Sequence, residues 1–100
     1  MLGGGLRMVV GVLTLELYLG EAASLKGKRK VLKSLLDRLK HRFNISVAEV
    51  GRQDSWQYAT VGISAVSGEN AHMQRVLASV ERFVEEHNGV EVLQVQREFI

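Results

Sequence analysis

Five cations, Lys26, Lys28, Arg29, Lys30 and Lys33, fall within eight residues, and this is the strongest chemical signal in the chain. The segment 26–42 holds eight of the thirteen Lys and Arg residues. Asp37 is its only acid, so the segment carries +7 while the whole chain carries only +2. Such a cluster suits phosphates, and RNA or a ribosomal surface is the commonest partner of that kind. The bland alternative is a solvated helix face, since any outward face is polar. Charge of one sign argues against it: like charges at i,i+3 and i,i+4 repel, and cations in the first turns oppose the helix dipole. A phosphate partner offsets both costs, because it also accepts from N–H groups at a helix N-terminus. Gly27-Lys28 is not a nucleotide-binding loop, because Arg29 stands where Ser or Thr is required and position 22 is Ala.

Other reactive side chains do not form a recognisable constellation. His41, His72 and His87 lack metal-ligand spacing and there is no cysteine, so neither a metal site nor a disulfide is expected. Ser24, Ser34 and Ser64 have no evident base, and G-x-S-x-G is absent. Glu49 and Asp54 flank a short polar turn. They could pair with Arg52 or act as acid and base. No catalytic residue and no cofactor are expected.

The elements that must position these residues are legible from periodicity. Residues 8–18 alternate with period two, with Val9, Gly11, Leu13, Leu15 and Leu17 on a fully apolar face and Val10, Val12, Thr14, Glu16 and Tyr18 on a mixed one. Ser24 is a good N-cap for a helix to about Arg42, whose Val31, Leu32, Leu35, Leu36, Leu39 and Phe43 make one stripe. Gly27 then sits near the third helical position, where it either admits an anion close to the backbone or relieves packing. Ile45–Gly51 and Trp56–Val66 read as two strands joined by a four-residue turn, hence a hairpin. A second helix, about Glu69 to His87, carries the stripe Met73, Val76, Leu77, Val80, Phe83 and Val84 and stops at Asn88-Gly89. Val90–Phe99 is the last strand, with Leu93 and Val95 expected in the core.

The order βαββαβ predicts an α+β, ferredoxin-like sandwich: a four-stranded antiparallel sheet with two helices on one face. The first and third strands are then the central pair. Their open face is expected to gather Val10, Val12, Tyr18, Trp56 and Tyr58, with Val92 and Gln94 from the last strand. Aromatics in such a place can stack bases, but the segment WQYATVGI lacks the ribonucleoprotein signature of the RRM domains. Self-association into a homo-oligomer, as a ligand-sensing or scaffold domain, is the favoured use of that patch. One hundred residues make one domain, expected over 8–100 after a loose glycine-rich leader at 1–7. The apolar and charged fractions are those of a globular protein, and no apolar run approaches the length of a membrane span, so no membrane partner is expected.

Three blocks resemble the YlxP-like family of small bacterial proteins: Ser24-Leu25-Lys26-Gly27-Lys28-Arg29, then Phe43-Asn44 through Glu49-Val50, then Asp54-Ser55-Trp56-Gln57. The resemblance spans about residues 8 to 98 and implies a ferredoxin-like fold and a cytoplasmic protein. Family members are often encoded beside translation and ribosome-maturation factors, which adds weight to an RNA or ribosome partner. The resemblance carries no catalytic residue. The leader at 1–7 departs from the family pattern.

Overall fold

The fold was analysed in a computed structural model that describes residues 7–100; residues 1–6 of the expected leader lie outside the described residues. The elements are β1 (Val9–Tyr18), α1 (Leu25–Arg42), β2 (Ser46–Gly51), β3 (Tyr58–Ser67), α2 (Asn70–Glu85) and β4 (Glu91–Phe99). The strands form one antiparallel sheet in the order β2-β3-β1-β4. This is the ferredoxin-like arrangement expected from the sequence.

Period-two alternation drives the assembly. Leu13, Leu15 and Leu17 of β1 lie opposite Ile63, Val61 and Ala59 of β3, and all six are buried. Leu32, Leu35 and Leu39 of α1 and Met73, Leu77, Val80 and Val84 of α2 close over them. Burying side chains of this size contributes roughly 1.5–3 kcal/mol each. Gly11 lets α2 approach β1: a Cβ there would stand 2.5 Å from the Met73 sulfur and 3.1 Å from a Leu77 methyl. α1 packs on β2, while α2 packs on β1, β3 and β4.

Helix termini follow local chemistry. Ser24 Oγ accepts the Gly27 N–H at 3.0 Å, and the Phe43 N–H donates to the Leu39 carbonyl at the other end of α1. The helices are tied by an edge-on contact between Phe43 and Phe83, with ring centroids 5.9 Å apart. Beyond α2, Gly89 takes φ +84°, a conformation open to glycine, and turns the chain into β4.

Two strand expectations need correction. β3 starts at Tyr58, not Trp56. The Ser55 hydroxyl captures the N–H groups of Gln57 and Tyr58, so Trp56 belongs to the turn and is exposed. In β4, Glu16 faces Gln94 and Leu17 faces Val92, which leaves Leu93 as the extra residue of a bulge. The bulge reverses the alternation: Val92 turns to the helix side and packs against the core, not onto the open face. Leu93 and Val95, expected inside, are exposed because β4 is an edge strand.

Candidate nucleic-acid interface

α1 divides its cations by face. Lys26, Arg29, Lys30 and Lys33 stand at i, i+3, i+4 and i+7, which places them side by side, and all four are exposed. Lys40 extends the same face and is exposed as well. Asp37 is the acid within this face. It accepts from Lys33 Nζ at 2.7 Å. That hydrogen bond and the Asp37 charge raise the Lys33 pKa, and the same bond holds Asp37 below its ordinary range. Both groups are open to water, so the pair adds little stability. Arg42 lies elsewhere, with its guanidinium 5.6 Å from the Phe83 ring centroid and 5.9 Å from that of Phe43.

Lys28 does not belong to the exposed set, which corrects the sequence expectation. It is fully buried beneath α1. Its Nζ donates to the Arg52 carbonyl at 2.7 Å and lies 3.0 Å from Glu49 Oε2, an ion-pair contact without hydrogen-bond alignment. The signal was in the spacing: Lys28, Leu32, Leu35 and Leu39 stand at i, i+4, i+7 and i+11, so Lys28 heads the apolar stripe. Glu49 points to the helix side of β2 because its β3 partner is the buried Val61. Lys28 thereby fastens α1 to the β2–β3 turn. Arg52 holds φ +58°, unusual for a side-chain-bearing residue, and its carbonyl also accepts from the Ser55 N–H.

Gly27 is not required by packing. A Cβ at that position would meet only Ser24 Oγ, at an ordinary 3.4 Å. Of the two uses open to it, relief of crowding is excluded.

The open sheet face is graded from end to end. Val10, Val66 and Ile100 occupy one end, where Val10 and Ile100 exchange backbone hydrogen bonds. The middle rows hold Thr14, Gly62, Ala48 and Gln96. At the far end Thr60 Oγ1 donates to Glu16 Oε1 at 2.7 Å, Arg52 approaches the same oxygen at 3.7 Å and covers the Tyr58 ring, and Tyr58 contacts Tyr18 with centroids 5.3 Å apart. The five residues expected to make one patch are therefore split. Val10 and Val12 are separated from Tyr18 and Tyr58 by the Glu16 row, and Val12 stands about 20 Å along the strand from Tyr18. Trp56 projects from the turn.

A match to the family described as "Protein of unknown function (DUF503)" covers residues 10–97. The chain belongs to this family. The uncharacterized protein YlxP of Bacillus subtilis (strain 168) is 42% identical over 81 residues, spanning 77% of this chain and 88% of that protein. In this DUF503 chain the three blocks that carried the resemblance meet at one corner, since Lys28 of the first block reaches Glu49 of the second and the Arg52 carbonyl just before the third. A solved de novo designed protein, Foldit4, superposes with a TM-score of 0.56 at 14% identity, over 94% of this chain and 97% of the other. That likeness concerns the fold alone. Among the described residues no helix is long and apolar enough to cross a membrane, and no cluster of three or more His, Cys, Asp or Glu could hold a metal ion.

Proposed function

We propose that this protein is a non-catalytic, cytoplasmic accessory factor that binds RNA, free or on the ribosome, through the phosphate backbone. The contact surface is the exposed face of α1: Lys26, Arg29, Lys30 and Lys33, with Lys40 at its far end. The observation that carries the reading is that these cations remain together on one solvent face after Lys28 has been withdrawn into the interior. The N-terminus of α1 opens beside them, capped by Ser24 and with room at Gly27 for close backbone approach. Recognition of this kind reads charge and shape more than base identity.

The test is the salt dependence of binding to an unstructured single-stranded RNA. Each phosphate contact contributes about −0.7 to the slope of log affinity against log salt. Four contacts give a slope near −2.8, or roughly a fifty-fold loss between 50 and 200 mM salt. Binding that ignores salt, or no binding at low salt, rejects the proposal.

A further inference from the structure

We infer that β4 is a dimerisation edge: two copies of this chain join β4 to β4 in antiparallel fashion about a two-fold axis at Gln96, giving one eight-stranded sheet.

The backbone provides the first argument. Val10 and Ile100 exchange both backbone hydrogen bonds, and the β1–β4 register then places Glu98, Gln96 and Gln94 as the residues whose amides face β1. The amides of Val95, Arg97 and Phe99 consequently face away from the sheet, along a nine-residue edge. The opposite edge is managed differently. β2 is six residues long and bulged at Val50, two devices that blunt an edge. The β4 bulge lies near its start and leaves 94–99 regular.

Side chains provide the second argument. Opposed residues share a face, so Val95, Arg97 and Phe99, opposite Leu15, Leu13 and Gly11, lie on the helix side. α2 does not cover them: Leu93, Val95 and Phe99 are 52%, 38% and 43% exposed. Arg97 folds back onto Glu81 of α2 and so keeps its charge paired. A trough of about 420 Å³ runs between Glu85 and residues 90–95.

Self-complementarity selects the occupant. With the axis at Gln96, Leu93 opposes Phe99 of the second copy and Val95 opposes its Arg97, while on the other face Gln94 opposes Glu98 and Gln96 opposes itself. No like charges face each other, and each Phe99 meets Leu93 at the rim of its neighbour's trough. An axis at Arg97 would oppose two arginines, and one at Val95 would set Phe99 against Glu91 instead of against Leu93. The helices permit the joint. α2 is centred on β1, with β3 and β4 on its two sides, so the two α2 helices stand three strand spacings apart, about 14 Å. That exceeds the 8–10 Å of packed helices, and the β4 side chains fill the gap. Both helix layers share one side of the dimer, with the basic α1 helices far apart at its ends.

The chain has no cysteine, which makes a cross-linking test clean. Gln96→Cys places two sulfurs across a non-hydrogen-bonded antiparallel pair, where Cα atoms stand about 4.5 Å apart, within disulfide range. The expected result is a disulfide dimer on mild oxidation, with Ser46→Cys on the β2 edge remaining monomeric. Sedimentation velocity of the native chain is expected to show a dimer that Val95→Lys dissociates, since it sets a second cation against Arg97 of the neighbouring copy. Phe99→Lys takes its place if Val95→Lys does not retain native circular dichroism. A native monomer at high micromolar concentration overturns the inference, and so does cross-linking no faster at position 96 than at position 46.

Discussion

At the scale of single residues, Lys28 and Glu49 make the sharpest prediction. Lys28 has a side chain 1% exposed, whereas Glu49 retains 20%. Removing the acid strands a cation that cannot reach water; removing the base leaves an acid that can. Loss of one member of a fully buried pair costs 3–5 kcal/mol, and the partial access here reduces that. Glu49→Gln is expected to cost about 2 kcal/mol and Lys28→Met less than about 1 kcal/mol, read by chemical denaturation. The reverse order would show that the pair is not seated as described. Gly27→Ala is expected to stabilise the fold by up to about 1 kcal/mol, since alanine is the better helix former and meets no obstacle. The same change weakens RNA binding if phosphate approaches the backbone there. Lys28 also shows the limit of counting charges. Its type says phosphate ligand, while its register with Leu32, Leu35 and Leu39 says interior, and register decides burial.

At the scale of elements, α1 trades local stability for charge. Lys30 follows Lys26 by four residues and precedes Lys33 by three, so it repels both. Lys30→Glu turns those two repulsions into attractions and places an acid toward the helix N-terminus. The expected gain is about 0.5–1 kcal/mol in thermal or chemical unfolding, together with a loss of RNA affinity. A variant less stable than the native chain would contradict the charge-strain account. The strands were legible wherever alternation ran unbroken: β1 and β3 bury the residues that period two assigns. Legibility failed at β4 because one extra residue, Leu93, reverses the parity of everything before it, and apolar composition alone does not show a bulge. It failed at Trp56 because a side-chain hydroxyl, Ser55 Oγ, holds two amides that would otherwise begin the strand. Whether a strand lies at an edge is a property of the whole sheet, so the exposure of Leu93 and Val95 could not be read from their own neighbourhood.

At the scale of the whole molecule, charge is separated by layer. The basic face of α1 looks outward from the helix layer, while the open sheet face carries Tyr18, Tyr58, Arg52 and Glu16 at one end and valines at the other. Dimerisation through β4 leaves both surfaces free, because the seam lies at the sheet edge beside α2. The RNA surface and the seam can therefore be disrupted independently: Val95→Lys is expected to shift sedimentation without reducing the salt slope per chain.

The measurement that bears most directly on the central claim is fluorescence anisotropy with an unstructured RNA at two salt concentrations, on three folded proteins. These are the native chain, the variant with Lys26, Arg29, Lys30 and Lys33 all changed to Glu, and Lys28→Met. The account predicts salt-sensitive binding by the native chain, its loss in the fourfold variant, and native-like affinity in Lys28→Met. Undiminished binding by the fourfold variant, or a loss in folded Lys28→Met equal to that of the fourfold variant, would contradict it.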